Sequence, residues 1–451
     1  MNATGFIKRH RAARPGDHLH DVLRGGSLAL VLKVVGAGLA FVFNVLLGRF
    51  LGPTGAGQFY IALTLVMAAS VVAQLGFDTF FLQRSAILHE SSDSTDDTSD
   101  VFDVGMRMSM LLSLALAVGL FAGSRWISVS LFHQRDLLPI LRVMALAVVP
   151  LSAANLRAQV LKGIRRPGLG VTFESVAVPG LAIVFLAVSW PFVKGALGAG
   201  GSYAGAALVT LVASVFVMKK FAPRVLRPEE RRPRQLWRQS LLKVATPFLA
   251  VDVIDLVMSW SGIAIVGALS GASEAGVYAA AWRTTLLMAW VLTAANTVAG
   301  PKFAALFVKG DKSSIQVVAR GVGKTGALLV IPMFAAAVVA PTTILNLFGR
   351  GFSVGAPVLV VLALGQVVNV ATGPSGYVLL MTGHEHALRN AMAFAVVVNV
   401  VLQAILVPQL GALGGAIGTS VGVVTMNAID VFIVWRRLGI AAWPIPVRRH
   451  P

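Results

Sequence analysis

Long apolar runs follow one another along the chain and are separated by short polar connections. A hydrocarbon layer about 30 Å thick is crossed by roughly 20 residues of α-helix, and only a helix or a closed barrel satisfies the backbone there. Barrel strands would alternate apolar and polar side chains, which these runs do not. The pattern predicts an all-α membrane protein with about twelve transmembrane helices. The predicted spans lie near residues 27–48, 57–81, 104–123, 139–161, 171–190, 202–218, 244–268, 275–299, 323–346, 355–380, 391–407 and 413–434.

The composition agrees with a membrane protein, because 56% of the 451 residues are apolar and only 13% are charged. The net charge of +19 is explained by topology. Of the 38 Lys and Arg residues, 28 fall on the side of the N-terminus, five on the opposite side and five inside the spans. Lys and Arg in short loops remain in the cytoplasm, so we expect both termini to be cytoplasmic. The basic face then contacts anionic membrane lipids, and nucleic acid is not expected as a partner.

An internal repeat divides the chain nearly in half at its most basic connection. Shifting the sequence by 219 residues superimposes three glycines of each half, Gly48, Gly52 and Gly57 on Gly267, Gly271 and Gly276. We expect the turns at Gly52 and Gly271 to form tight hairpins. Six spans per half would make both halves enter the membrane in the same orientation, so the prediction is two six-helix bundles related by a pseudo-twofold axis along the membrane normal.

The repeat also sets the expected domain boundaries. The predicted units are a cytoplasmic N-terminal segment 1–26, an N-terminal six-helix bundle 27–218, a basic cytoplasmic linker 219–243, a C-terminal six-helix bundle 244–435 and a cytoplasmic C-terminal tail 436–451.

Four segments resemble the polysaccharide-repeat flippases, the O-antigen or Wzx-type family of the multidrug/oligosaccharidyl-lipid/polysaccharide exporter superfamily. They are LLGRFLGPTGAGQFYIALTL, VVAQLGFDTFFLQRSA, GALSGASEAGVYAAAWR and GALGGAIGTSVG. The resemblance covers nearly the whole chain. It implies a bacterial cytoplasmic-membrane protein that moves undecaprenyl-pyrophosphate-linked oligosaccharide to the outer leaflet by alternating access in polysaccharide biosynthesis. Polysaccharide polymerases or glycosyltransferases are the implied partners.

Charged residues inside the spans are the candidate transport residues, because each costs about 2.5 to 3.5 kcal/mol at the membrane centre unless it faces a polar interior. The first group is Lys33, Asp252, Asp255 and Arg283. The repeat places Lys33 on Asp252. One hypothesis is that Lys33 binds the pyrophosphate while Asp252, with Asp255 one turn away, takes a coupling proton or Na⁺. The alternative is a static ion pair of Lys33 with Asp252 that joins the halves.

Three further arginines lie in predicted spans. Arg107 and Arg157 are expected near the cytoplasmic mouth and Arg142 near the outer mouth. Two interpretations are open: the side chains extend to lipid headgroups, or they form a cationic path for the pyrophosphate. Buried amides similarly have two roles open, binding of sugar hydroxyls or hydrogen bonding between helices; they are Asn44, Asn155, Asn296, Asn369 and Asn399.

Three acidic residues, Asp78, Glu174 and Asp430, fall close to predicted cytoplasmic span ends. We expect hydration or local pairing there, and no ion coupling.

Other functions are less well supported by the sequence. An ion-coupled multidrug exporter and a lipid II flippase belong to the same superfamily, but lipid II flippases usually carry two further spans. A membrane polymerase or ligase would need a large loop with a catalytic cluster. Gly323-Lys324-Thr325 lacks the earlier glycine of a phosphate-binding loop, and the chain has no cysteine. We therefore expect a transporter, with no enzymatic activity, no cofactor and no bound metal.

Overall fold

The computed structural model describes residues 15–90, 97–222 and 234–440, and within these ranges the chain is helical with no strand. The all-α prediction is confirmed for this part. The helices are α1 (Pro15–Gln74), α2 (Phe77–Glu90), α3 (Asp97–Trp126), α4 (Leu137–Ala145), α5 (Val148–Gly163), α6 (Pro167–Val171), α7 (Ala177–Ser189), α8 (Gly195–Phe221), α9 (Arg234–Leu269), α10 (Ala272–Val308), α11 (Lys312–Val339), α12 (Pro341–Leu345), α13 (Ala356–Ala371), α14 (Ser375–Met381), α15 (Glu385–Leu410) and α16 (Ala412–Ile433). Short π-helical turns follow α3, α6 and α16 at Ile127–Leu131, Thr172–Val176 and Val434–Leu438, and a 3₁₀ turn precedes α13 at Arg350–Gly355.

Helix α1 is two helices that meet at Gly52, whose φ of 64° favours glycine. The Tyr60 hydroxyl donates a 2.8 Å hydrogen bond to Oδ1 of Asn44, across the turn. An unbroken helix would hold two residues sixteen positions apart about 24 Å from each other. The chain therefore reverses at Gly52, and the predicted hairpin is confirmed.

Helices α9 and α10 form a second hairpin in the same way. Gly271 has a φ of 91° and begins α10, and a side chain on Gly262 of α9 would collide with the ring of Tyr278 in α10. Gly52 and Gly271 are the glycines that the 219-residue shift superimposes. We call the end of the molecule that carries these two turns the hairpin end.

The two hairpins contact each other through glycines. A Cβ on Gly57 would collide with the carbonyl oxygen of Ala272, and a Cβ on Gly276 would collide with the carbonyl oxygen of Pro53. Pro53 and Ala272 are related by the same shift of 219 residues as the two glycines. The contact is thus reciprocal, and it brings the α1 and α10 backbones together.

Several predicted spans are interrupted, which is a correction to their boundaries. The span predicted at 57–81 ends at Gln74, because Leu75 and Gly76 both take positive φ. The Gly76 backbone lies against α9, where a side chain would strike the carbonyl oxygen of Ala245. Only a residue without a side chain fits this close to α9. The chain therefore turns at Gly76, and the predicted span does not continue as one helix.

Proline interrupts two more spans. The span predicted at 139–161 is α4 and α5 with a bend of 41°, and Pro150 lies just after the bend. Proline has no N–H to donate to the preceding turn, and its ring clashes with the carbonyl four residues earlier. The span predicted at 355–380 is likewise divided at Gly373 and Pro374 into α13 and α14.

Nine helices of the described ranges are long and apolar enough to cross a bilayer, or up to eleven when each of two bent pairs is taken as one span. The multi-span prediction is therefore confirmed in its coarse form. Helix α8 runs to Phe221 and α9 begins at Arg234, so both extend into the linker predicted at 219–243. The rest of that linker, and most of the two predicted tails, lie outside the described residues.

Candidate functional site: a central cavity with two unlike ends

A polar cavity lies where the two hairpins and their neighbours meet. It consists of two adjoining pockets of about 420 Å³ and about 210 Å³. Both pockets are lined by Val71, Gln74, Asn155 and Trp260. Helix α1 supplies the largest part of the wall, α2, α5, α7 and the π-helical turn Thr172–Val176 supply further residues, and α8, α9 and α10 complete it. We call the two pockets together the central cavity.

The larger pocket contains Arg283, and we call it the Arg283 end. The guanidinium carbon lies 4.4 Å from the ring centroid of Trp260 and 6.0 Å from that of Tyr60. Its Nε is buried and has no hydrogen-bond partner in the described chain, and neither of the ion pairs found there includes Arg283. Cation–π contacts position the charge but leave its N–H groups available to a ligand.

Helix geometry predicts that Arg283 lies near the depth of the membrane centre. It comes twelve residues after Gly271, which corresponds to about 18 Å of helix from the hairpin end. Half of a bilayer core is about 15 Å. Trp260 comes eleven residues before Gly271 on the antiparallel helix, so the ring contact joins two residues at the same depth.

The support of Arg283 comes from the first hairpin. Tyr60 is fully buried, and its hydroxyl is held by Asn44, whose Nδ2 donates a 2.7 Å hydrogen bond to the carbonyl of Ala40. Asn44 also lines the larger pocket. Side chains of α1 thereby fix the ring beside a cation that α10 contributes.

The smaller pocket contains three carboxylates, and we call it the carboxylate end. It is lined by Asp78 of α2 together with Asp252 and Asp255 of α9. Asp252 is half-buried and Asp255 is exposed to the cavity. Asp252 lies eight residues before Trp260, which is about 12 Å further from the hairpin end. Asp78 lies in the first turn of α2, where the helix dipole stabilises a negative charge.

A chain of amides connects the two ends. Asn155 donates a 2.6 Å hydrogen bond from Nδ2 to Oε1 of Gln74, and Gln74 donates from Nε2 to the carbonyl of Ser70 at 3.0 Å. Gln159 donates a longer bond of 3.4 Å to Oδ1 of Asn155. These groups give the wall between the two ends a continuous polar surface.

Lys33 is not among the residues that line the central cavity. It is half-buried on α1, and neither of the ion pairs found in the described residues joins it to Asp252. The structure therefore shows no static Lys33–Asp252 pair, although the repeat superimposes the two positions.

The other three predicted arginines lie apart from the cavity lining. Arg107 is exposed and pairs with Asp103 at 2.9 Å on its own helix. Arg157 donates a 2.8 Å hydrogen bond from Nη1 to the carbonyl of Ala153. Arg142 donates from Nε to Oγ of Ser124 at 3.0 Å.

Three residues of the site were missed by the sequence interpretation, namely Tyr60, Gln74 and Trp260, and Asp78 was given no role there. One signal was present for Trp260. Asp252, Leu256 and Trp260 are spaced by four residues, which places them on one helix face, and all three line the smaller pocket. No comparable spacing pointed to Tyr60.

No group of three or more His, Asp or Glu residues in the described chain is arranged to hold a metal ion. The carboxylates of the smaller pocket line one space without converging on one point.

The sequence profile of the family described as polysaccharide biosynthesis protein matches residues 22–307, more than half of the chain. The probable low-salt glycan biosynthesis flippase Agl15 of Haloferax volcanii is 26% identical over 420 residues, covering 89% of this chain and 80% of that protein. The succinoglycan biosynthesis transport protein ExoT of Rhizobium meliloti is 24% identical over 358 residues, covering 78% and 67%. Both relatives are named as transport proteins and neither as an enzyme.

Two solved structures share the fold. The lipid II flippase MurJ in an inward closed conformation matches with a TM-score of 0.72 at 14% identity, covering 90% of this chain and 87% of that one. An inward-facing multidrug transporter of the MATE family, in the MOP superfamily, matches with a TM-score of 0.70 at 16% identity, covering 92% and 98%. At these identities the similarity establishes the fold alone.

Proposed function

We propose that this chain, which belongs to the polysaccharide biosynthesis protein family, is a flippase that moves a lipid-linked oligosaccharide across the cell membrane. The names of its two relatives support this function, since one is a glycan biosynthesis flippase and the other a succinoglycan transport protein. The observation that carries the proposal is Arg283. A cation at the depth of the membrane centre, inside a cavity and without an ion-pair partner in the described chain, is suited to an anionic headgroup.

The headgroup that fits is a phosphate or pyrophosphate. A buried guanidinium is costly without a partner, and phosphate oxygens accept two parallel hydrogen bonds from its planar fork. The Asn44, Asn155 and Gln74 amides line the same space. Each is already hydrogen bonded within the protein, but an amide has a second N–H and a second acceptor lone pair, which we propose contact sugar hydroxyls. We therefore propose undecaprenyl-pyrophosphate-linked oligosaccharide as the cargo and the bacterial cytoplasmic membrane as the location.

The proposed topology has twelve spans with both termini in the cytoplasm. The described residues contain eleven candidate spans when each bent helix pair is taken as one span. Dividing α1 into two spans at Gly52 raises this number to twelve. The distribution of 28 basic residues on one side against five on the other supports the orientation. The hairpin end then faces outward, and the carboxylate end is the cytoplasmic part of the cavity.

A pseudo-twofold relation between the bundles at 27–218 and 244–435 is part of the same proposal. It is supported by the positive φ at both Gly52 and Gly271 and by the reciprocal contact of Gly57 with Gly276. Two bundles joined at one such contact can rock about it. That motion would open the central cavity to one face of the membrane and then to the other, which is alternating access.

Asp252 and Asp255 are the proposed coupling residues, and Asp78 is added to them because it lines the same pocket. Three carboxylates in one small pocket repel each other, so uptake of a proton or Na⁺ there is favourable. Occupation of this end would also remove the repulsion between the carboxylates and an anionic headgroup that passes them. Lys33, Arg107 and Arg157 do not line the cavity. We therefore propose that they contact the headgroup or anionic lipids only outside the central cavity.

The rival transport function is ion-coupled export of cationic drugs, for which the carboxylate end would bind the cargo. The experiment is reconstitution of the full chain in proteoliposomes, with transport of a lipid-linked oligosaccharide and of a cationic dye measured side by side. We expect the lipid-linked oligosaccharide to move and the dye to remain. Movement of the dye alone would overturn the flippase proposal, and movement of lipid II in preference to other lipid-linked sugars would narrow the cargo to that lipid.

A further inference from the structure

Three arginines gather at the hairpin end, outside the central cavity. Arg125 and Arg135 line one pocket of about 360 Å³ together with Val129 and Leu138. Arg142 lies one helical turn after Leu138 on α4, on the same face. We call these three residues the outer arginine cluster. Phe132 of the same connection packs near Gly267, four residues from Gly271, which places the cluster at the hairpin end.

The cluster is unusual in its charge. Only five Lys or Arg residues fall on the predicted outer side of the chain, and two of them line this single pocket. No ion pair of the described residues involves any of the three arginines. The Nε of Arg142 donates a hydrogen bond to Ser124, and its guanidinium carbon lies 5.3 Å from the ring centroid of Phe121. Its two Nη groups have no hydrogen-bond partner in the described chain. Unpaired guanidinium groups that line one pocket, as those of Arg125 and Arg135 do, form a site for a phosphate group.

The surroundings indicate that the phosphate belongs to a lipid. Trp126, next to Arg125, is 65% exposed, and Leu111 on α3 is 67% exposed. Exposed apolar side chains along α3 face hydrocarbon, and an exposed tryptophan at a span end is typical of the headgroup level. The arginines therefore stand where an apolar, lipid-facing wall meets the membrane surface. A ligand with a phosphate at one end and a long apolar chain at the other fits both features.

We infer that the outer arginine cluster binds the pyrophosphate headgroup of the cargo lipid after it reaches the outer leaflet. This inference rests on the proposed function, because the ligand is the cargo proposed there and the cluster is a second binding site for it. Two stations would hold the headgroup in turn, Arg283 at the membrane centre and the cluster at the outer surface. At the outer station the lipid chain would lie against the exposed apolar face of α3.

The test measures binding of undecaprenyl pyrophosphate, without sugar, to the purified full chain by native mass spectrometry. All variants carry Arg283→Gln, so that binding in the central cavity does not contribute. The double variant Arg125→Gln/Arg135→Gln is compared with Arg350→Gln, an exposed arginine of the same predicted side outside this pocket. We expect the double variant to bind at least roughly tenfold less, since the loss of even one charge-assisted hydrogen bond weakens binding by about that factor. The Arg350→Gln control should bind as its parent does.

Phosphatidylglycerol is the second probe, because it carries one phosphate on two shorter chains. If the double variant also binds phosphatidylglycerol more weakly by the same factor, the cluster binds anionic lipids in general, which would overturn the cargo assignment. Unchanged binding of undecaprenyl pyrophosphate in the double variant, or no binding in the Arg283→Gln parent, would also overturn it. Arg125 and Arg135 are exposed, so their substitution removes no buried packing, and an unchanged thermal unfolding midpoint checks that the variant is folded. Failure of the proposed function is seen separately, as absence of lipid-linked oligosaccharide transport by the unmodified chain.

Discussion

The two ends of the central cavity differ in charge, and they differ in how that charge is stabilised. Arg283 is a single cation stacked on Trp260 and beside Tyr60, with no carboxylate paired to it in the described chain. The other end holds three carboxylates, Asp78, Asp252 and Asp255, about 12 Å closer to the opposite surface. A cavity that only stabilised the fold would pair these opposite charges, since an unpaired charge at this depth is costly.

The separation of charge is the basis of the proposed roles of the two ends. Glu174 also lines the larger pocket, but its carboxylate pairs with Lys162, whereas Arg283 has no ion-pair partner in the described chain. We propose that the Arg283 end binds the anionic headgroup and that the carboxylate end binds a proton or Na⁺. A transporter that couples these two ligands needs sites for both in one cavity.

The largest effect on this comparison is expected from Arg283→Gln. Removal of the cation leaves the phosphate without its charge-assisted hydrogen bonds, which are worth about 1.5 to 3 kcal/mol each. We expect transport of lipid-linked oligosaccharide in proteoliposomes to fall at least roughly tenfold. Arg283→Lys keeps the charge but loses the planar fork, so it should retain more activity than Arg283→Gln. Equal transport by Arg283→Gln, Arg283→Lys and the unmodified protein would show that Arg283 does not bind the headgroup.

The junction that holds the two ends together is tested by Gly57→Ala. The new methyl group must displace the Ala272 carbonyl or the helix backbone around it, and overpacking of this kind costs about 1 to 3 kcal/mol. Gly38→Ala, in the first half of α1, is the control, because nothing lies within 4 Å of a Cβ at that position. We expect the thermal unfolding midpoint in detergent to fall for Gly57→Ala alone. A similar change in both variants would mean that the glycine contact does not stabilise the junction.

A smaller effect is expected at Trp260, whose ring positions the cation. Cation–π contacts contribute about 0.5 to 2 kcal/mol, so Trp260→Leu should weaken transport by roughly threefold to thirtyfold. Trp260→Phe keeps a smaller π face and should lie between Trp260→Leu and the unmodified protein. Full transport by Trp260→Leu would show that the guanidinium is positioned by other groups.

The smallest effect is expected at Asp311, far from the cavity. Asp311 is hydrogen bonded at a helix end, and it therefore serves as a comparison for the carboxylates that line the cavity without an ion-pair partner in the described chain. Asp311 caps α11, where hydrogen bonds from Ser314 and Ser313 lower its pKa to about 2. A folded-state pKa below the unfolded value of about 3.9 stabilises the fold at higher pH. This stabilisation is lost as pH falls from about 4 towards 2.

Asp311→Ala should therefore lower the thermal unfolding midpoint slightly at neutral pH, and the difference should shrink below about pH 4. Asp311→Asn retains an N-cap oxygen and serves as the control. A difference between Asp311→Ala and the unmodified protein that is independent of pH would contradict the assignment to the ionised cap.

Hydrophobicity located most of the membrane-spanning helices in the described part of the chain. The hairpins at Gly52 and Gly271 followed from the repeated glycines, and Arg283, Asp252 and Asp255 were found because charges are rare in apolar runs. Helix ends were less accurate where Pro150 and Pro374 interrupt a run that remains apolar on both sides. Apolarity persists through such a bend, so hydropathy does not register it.

The direction in which a side chain points within the bundle could not be predicted. These spans are apolar around most of their circumference, which removes the one-sided pattern that identifies the inner face of a soluble helix. Lys33 was expected in the cavity because the repeat places it on Asp252, yet it does not line that space. Asp78 was expected to be hydrated at a span end, yet it joins the carboxylate end, because α2 begins with a new turn against α9.

The most direct test is the binding of undecaprenyl pyrophosphate to the two ends, compared in one background that carries Arg125→Gln and Arg135→Gln to remove the outer arginine cluster. We expect Arg283→Gln to weaken binding roughly tenfold. In the same background, Asp252→Asn/Asp255→Asn should leave binding unchanged or strengthen it, because two repelling charges are removed. Weaker binding after loss of the carboxylates, together with unchanged binding after loss of Arg283, would contradict the assignment of the headgroup to the Arg283 end.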